Sequence, residues 1–129
     1  MNNPVKILSL LAPEEGTYAI DEIQFLDTDD SVITPNVDTV TWCLTDKNEN
    51  VINGREEEEI ASSSSMLVTV SGLDLAVSGE ADKTLVSNGV TLEYYQRNLT
   101  VKGKVNSNLG NNLPSTKVFI FFVEHIVCV

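Results

Sequence analysis

The chain has 129 residues, of which 42% are hydrophobic and 21% charged, and its formal net charge is −11. A single domain of this size can bury a substantial core, and the hydrophobic content excludes an intrinsically disordered chain. The negative charge argues against nucleic acid as a direct partner, because binding to phosphates needs lysine and arginine, and equally against an anionic membrane surface.

Apolar and polar residues alternate along most of the sequence, which predicts β-strands rather than helices. Residues 5–11 are the first predicted strand, and Pro13 and Gly16 follow it. We therefore predict an N-terminal strand or arm over residues 1–16 and one folded domain over residues 17–129. In the second strand the alternation slips by one residue between Ile20 and Ile23, which predicts a β-bulge near residues 21–22.

The most regular alternation follows a turn rich in aspartate and runs over residues 37–45. Val40, Trp42 and Leu44 share one face of this predicted strand, and Cys43 lies on the opposite face with the threonines. Trp42 is the predicted core anchor, because an indole buries a large apolar area.

The second half of the chain continues the pattern of short strands and turns. We predict an exposed edge or loop at the acidic run 56–59, a strand at 66–70, and a loop or short helical turn at 72–80. Strands at 84–87 and 91–95 flank Asn88-Gly89, a strong hairpin signal. A strand at 99–105, a long polar turn at 106–115 and a last strand at 117–127 complete about seven to eight strands. This spacing predicts an all-β antiparallel sandwich.

The last strand is apolar without interruption from residue 118 to residue 123. Only one of its two sets of side chains can fill the core of a sandwich. We expect Phe119, Phe121 and Val123 to face inward, because the other set includes Glu124. Val118, Ile120 and Phe122 are then the predicted interface residues, since a large bare apolar face is rare on a monomer. Another subunit covers them, the N-terminal strand folds over them, or the run is only a strand end of mixed character.

The stretch FLDTDDSVITPNVDTVTWCLTDKNENVINGREEE resembles immunoglobulin-like domains of virion accessory proteins of tailed bacteriophages. The features that carry the resemblance are the acidic turn 27–30, Pro35 a few residues before Val40-Thr41-Trp42, and Leu44-Thr45-Asp46 leading to Val51-Ile52-Asn53. The pattern covers residues 17–105, and it is also similar to immunoglobulin-like modules of bacterial surface proteins. In antibody-type domains a cysteine pair packs against the tryptophan. Here Cys43 neighbours Trp42 and Cys128 lies at the far end, so that disulfide is not implied, and whether the two cysteines pair stays open.

The resemblance implies an immunoglobulin-like sandwich that serves as a structural virion protein, with capsid decoration or cementing as the favoured form. A neck or tail-completion protein is the alternative within that class. The implied partners are other virion proteins and further copies of the chain, and the implied location is the virion after synthesis in the host cytoplasm. A carbohydrate- or receptor-binding module is the competing class.

The sequence offers few candidates for a chemical site. Asp27, Asp29 and Asp30 are a weak calcium candidate, with a solvated turn as the alternative. The run Glu56, Glu57, Glu58 and Glu59 is either a docking patch for a basic partner or a solvated face. His125 is the only histidine, and no triad or zinc spacing accompanies it. We therefore expect no enzyme activity, cofactor or resident metal.

Overall fold

The computed structural model describes residues 5–127, except for the side chains of residues 9–11. The described residues form ten strands and one 3-10 turn, Gly72–Leu75. The strands are β1 (Val5–Pro13), β2 (Thr17–Ile23), β3 (Phe25–Leu26), β4 (Val32–Ile33), β5 (Thr41–Thr45), β6 (Glu58–Glu59), β7 (Met66–Ser71), β8 (Lys83–Ser87), β9 (Val90–Ser107) and β10 (Gly110–Val127). The prediction of an all-β sandwich is confirmed.

One large sheet and one small sheet supply the two layers. The large sheet has the order β1-β10-β9-β5-β6, and β8 pairs with the N-terminal part of β9, residues 90–94. β2 and β7 form the second layer, and β3 and β4 form a short separate pair. All of these pairs are antiparallel except β1 with β10, which is parallel. β1 is therefore a strand of the large sheet and not a detached arm.

The core lies between the inner faces of the two layers. Tyr18 of β2 reaches across to Phe121 of β10, with ring centroids 5.0 Å apart. Trp42 is buried in this core. The other large apolar side chains buried there include Ile20, Ile23, Phe25, Leu44, Met66, Val68, Val70, Leu75, Leu99, Val101, Phe119 and Val123. Their alternation with outward-facing residues along most of the strands confines them to the inner faces.

Two local predictions are confirmed by the backbone. The register between β2 and β7 shifts between Ile20 and Ile23, and Glu22 has a φ of 53°. This is the predicted bulge, which returns the apolar residues to the core side after the slip. The hairpin at Asn88-Gly89 is also present, with Ser87 paired to Val90.

Three predicted strand boundaries are wrong. The strand that contains Trp42 starts at Thr41 and not at residue 37, because the chain turns at Asn36, whose carbonyl accepts a hydrogen bond from the Thr39 hydroxyl at 2.7 Å. Residues 90–107 form one strand of 18 residues, where two strands had been predicted. The predicted polar turn at 106–115 is short, since β10 already begins at Gly110.

Candidate interaction surface

The last strand places apolar side chains on both faces of the large sheet. Phe119, Phe121 and Val123 are buried between the two layers, as predicted. Val118, Ile120 and Phe122 lie on the outer face, and all three are half-buried. β10 therefore fills the core with one set of side chains and leaves the other set at the surface.

The N-terminal strand extends this outer surface sideways. Val5 pairs with Val118 and Ile7 with Ile120, and side chains of paired residues point to the same face of a sheet. Ile7 is 70% exposed. The alternative that residues 5–11 fold over the outer face is wrong, because β1 lies beside β10 within the sheet. We call the following residues the outer apolar patch: Val5, Ile7, Val118, Ile120 and Phe122.

Toward β9 and β5, the outer apolar patch is bordered by uncharged residues. In the ladder between β10 and β9, Val118 is opposite Thr100, Ile120 opposite Asn98 and Phe122 opposite Gln96. Cys43 and Thr45 of β5 follow in the same rows. These side chains are neutral, and their desolvation is less costly than that of charged groups.

A second apolar row lies farther along the same outer face. Leu85 of β8 is opposite Leu92 of β9, and Leu92 is opposite Ile126 of β10. Ile126 is 55% exposed. The outer face therefore has two apolar areas, the outer apolar patch and the row of Leu85, Leu92 and Ile126.

A single polar row separates the two apolar areas. Tyr94 lies in the middle of this row, opposite Glu124 on one side and Lys83 on the other. The Lys83 ammonium lies 6.0 Å from the centroid of the Tyr94 ring. Desolvation, and then the hydrogen bond to Glu124, raise the pKa of Tyr94. Tyr95, the next residue in the chain, is buried on the opposite side of the sheet.

The acidic run lies at the edge strand β6. Glu56, Glu57 and Glu59 are exposed, and Glu58 is half-buried. Glu58 accepts a hydrogen bond from the Arg55 guanidinium at 2.7 Å. The run is thus an exposed edge, as predicted, and three of its four carboxylates are turned toward solvent.

The weak calcium candidate is a turn between β3 and β4. Asp29 accepts hydrogen bonds from the backbone and hydroxyl of Ser31, and these bonds lower the pKa of Asp29. Asp27 accepts a hydrogen bond from the backbone N–H of Asn108 at 3.2 Å. Across residues 5–127, no group of three or more His, Cys, Asp or Glu side chains is arranged to hold a metal ion.

His125 lies at the seam between β1 and the long strands. Its Nδ1 is 2.7 Å from a carboxylate oxygen of Glu14, and its Nε2 is 4.0 Å from one of Glu93. Glu14 directly follows β1, and its backbone N–H donates to the carbonyl of Glu124 at 3.3 Å. The imidazole therefore helps to attach the end of β1 to β10.

A buried carboxylate that sequence reasoning missed lies on the other side of the sandwich. Asp74, in the 3-10 turn, is fully buried. It accepts hydrogen bonds from Arg55 Nε at 2.8 Å, Asn53 Nδ2 at 2.9 Å and the backbone N–H of Ser71 at 3.1 Å. Arg55 also lies 5.3 Å from the centroid of the Trp42 ring. This cluster fastens the loop before β6 to the turn after β7, and its role is structural.

The sequence carries no local signal for that cluster, because Arg55 and Asp74 are 19 residues apart and lie in different loops. Cys43 is half-buried on the outer face and is a free thiol. Cys128 lies outside the described residues.

No family model, curated protein or solved structure matches the chain. Within residues 5–127, no helix has the length and apolar character needed to cross a membrane. The geometry offers an extended apolar face, which is suited to binding another protein surface by burial.

Proposed function

We propose that this protein is a structural component of a tailed-bacteriophage virion, and that it attaches through the outer apolar patch. Capsid decoration or cementing is the form we favour, and a neck or tail-completion protein would use the same patch. The single observation that carries the proposal is that five apolar side chains on adjacent strands β1 and β10 remain at the surface of the large sheet.

The strand pairings support the immunoglobulin-like part of this proposal. β5, β9 and β10 are neighbours in one layer, and β2 and β7 are neighbours in the other. In an immunoglobulin-like sandwich the third, sixth and seventh strands share one sheet, and the second and fifth share the other. With β1 counted as the first strand, and with the short pair β3 and β4 and the hairpin strand β8 set aside, β5, β9 and β10 are the third, sixth and seventh strands and β2 and β7 are the second and fifth.

The mechanism is passive burial of apolar surface. A standard protein interface buries about 800 Å² on each partner, and the outer apolar patch, with the neutral residues Thr100, Asn98 and Gln96 beside it, is suited to be the centre of such an area. Each large apolar side chain that goes from exposed to buried contributes about 1.5–3 kcal/mol before the costs of association. The net charge of −11 keeps free copies apart and favours a basic docking surface.

The test is a charge placed at the centre of the patch. Phe122→Asp should leave the fold intact, because Phe122 lies on the outer face, and should abolish incorporation into particles of the encoding phage. Leu67→Asp is the matched control, since Leu67 is 56% exposed on β7 in the opposite layer. Phe122→Leu keeps an apolar side chain and should retain incorporation.

The readout is the amount of the chain in density-purified particles, with circular dichroism of the free variant as the check on folding. A folded Phe122→Asp variant that is incorporated like the wild type would contradict the proposal.

A further inference from the structure

A second feature of the large sheet points to self-association, independently of the outer apolar patch. β8 pairs with β9 on one side, and no strand within residues 5–127 pairs with its other side. All five residues of β8 are exposed. A free strand edge presents backbone N–H and C=O groups that can pair with another chain.

The turn that precedes β9 determines which groups face outward. Asn88 and Gly89 both have positive φ, 52° and 77°, as in a two-residue type I′ hairpin. In such a hairpin the flanking residues, here Ser87 and Val90, form a hydrogen-bonded pair, and the pairs then alternate. The backbone N–H and C=O groups of Thr84 and Val86 therefore point away from β9.

The other two edges of the large sheet are protected, whereas the edge of β8 is not. β6 has only two residues and lies within the acidic run. β1 has an irregular register between Ile7 and Leu11 and ends at Pro13. Short length, charge, proline and bulges are the usual ways to block edge pairing.

β8 has none of these features apart from one lysine. Its register with β9 is regular, and residues 83–92 contain Lys83 and no carboxylate. In a chain with a net charge of −11, this hairpin is a local surface on which two copies can meet without like charges in contact.

We propose that β8 pairs antiparallel with β8 of a second copy, about a two-fold axis through Leu85. In this register Thr84 lies opposite the partner's Val86, and the outward backbone groups of these residues form four hydrogen bonds across the axis. Lys83 lies opposite the partner's Ser87, so no like charges meet.

The pairing also joins apolar surface. Leu85 contacts the partner's Leu85 in a close, non-hydrogen-bonded pair. The row of Leu85, Leu92 and Ile126 on the outer face then continues into the same row of the second copy. Contact with the partner partly buries the Leu85 side chain, which is 48% exposed in one copy. Burial of this apolar surface is an additional driving force for pairing.

Pairing of five residues buries less area than a standard interface, so the dimer is expected to be weak and concentration-dependent. Two copies with net charge −11 repel each other at long range, and salt screens this repulsion. The dimer should therefore become stronger as ionic strength rises.

Sedimentation velocity of the full chain over increasing concentration tests the proposal. The wild type should shift from 14.1 kDa toward twice that mass. Val86→Pro removes the outward N–H while leaving the bonds to β9 in place, and it should remain monomeric. Val86→Thr keeps both the N–H and the branched side chain and should dimerise like the wild type.

A cross-linking experiment tests the register itself and does not depend on the fold of the proline variant. In a background with Cys43→Ser and Cys128→Ser, Leu85→Cys should form a disulfide-linked dimer under mild oxidation. Val86→Cys should not, because residues two positions out of register lie beyond the distance that a disulfide spans. A wild type that stays monomeric at high concentration and high salt, or equal cross-linking at both positions, would overturn the proposal. Incorporation into particles tests the outer apolar patch separately.

Discussion

Replacement of the buried carboxylate Asp74 by asparagine should destabilise the fold more than any change of a surface charge. The two side chains have nearly the same shape, so the change tests the charge and the hydrogen bonds and not the packing. One oxygen of Asp74 accepts from Asn53 and from Arg55 Nε, and the other accepts from Arg55 Nη2 and the backbone of Ser71. In either orientation of the side-chain amide, the asparagine NH₂ group would face two hydrogen-bond donors and could accept from neither.

The expected loss of unfolding free energy follows from the burial of the Asp74–Arg55 ion pair. Removing one partner of a buried ion pair costs about 3–5 kcal/mol, because the other charge is left without compensation. Asp74 is fully buried, but the Arg55 side chain is 33% exposed and retains Glu58 as a partner. Solvent and Glu58 therefore offset part of the loss, and we expect about 2–4 kcal/mol.

The stability lost in Asp74→Asn should also depend on pH. Burial is the largest single influence on Asp74 and would raise its pKa, but the hydrogen bonds from Arg55, Asn53 and Ser71 together lower it below the usual value. A carboxylate with a depressed pKa in the folded state contributes stability above its unfolded pKa of about 4, and that contribution is lost as pH falls through the folded value. The difference between wild type and Asp74→Asn should be constant near neutral pH and shrink in acid.

Urea unfolding followed by the fluorescence of Trp42, the only tryptophan, measures the difference directly. Glu58→Gln is the control, since it removes a partly exposed partner of the same arginine and should cost less than about 1 kcal/mol. The reasoning is refuted if Asp74→Asn costs no more than this control, or if its effect is unchanged between neutral pH and the acid limit of folding.

Two further substitutions test the packing of the core, each by the same unfolding measurement. Phe121→Ala should cost about 3–5 kcal/mol, because Phe121 is fully buried against Tyr18; a cost below about 1 kcal/mol would contradict this assignment. Gly103→Val should cost about 1–3 kcal/mol, since even a Cβ at Gly103 would lie 3.2 Å from Phe25 and 3.3 Å from Val40. An unchanged midpoint would show that Phe25 and Val40 can move away from this position without cost.

The parts of the fold that sequence reasoning predicted are those encoded by local alternation. The inward faces of the strands around Trp42 and Phe121, the bulge before Ile23 and the hairpin at Asn88-Gly89 each depend on a few neighbouring residues. A period of two residues, a slip of that period and a turn dipeptide are all visible in one short window.

The length of β9 was missed because the sequence Gln96-Arg97-Asn98 looks like a polar break in the pattern. Arg97 in fact points inward and is buried, and its guanidinium donates to the carbonyls of Gln96 and Ala76. Burial lowers the pKa of Arg97. The hydrogen bond from a buried guanidinium to a backbone carbonyl of a distant loop, here Ala76, is a tertiary effect, and no local pattern signals it.

The candidate surface was predictable in part. The apolar run 118–123 indicated an outward set of side chains, and Glu124 indicated which set it was. The parallel pairing of β1 with β10, which adds Val5 and Ile7 to the same face, was not predictable, because strand order depends on long-range pairing. The open edge of β8 was missed for the same reason, since the sequence does not show which strands lie at the edge of a sheet.

The most direct test of the proposed assembly is a reconstruction by electron cryo-microscopy of the particle that incorporates the chain. In that reconstruction we expect a neighbouring subunit to cover Ile120 and Phe122, so that both faces of β10 are buried only in the assembled state. A particle in which the chain is held through other surfaces, with the outer apolar patch open to solvent, would contradict it.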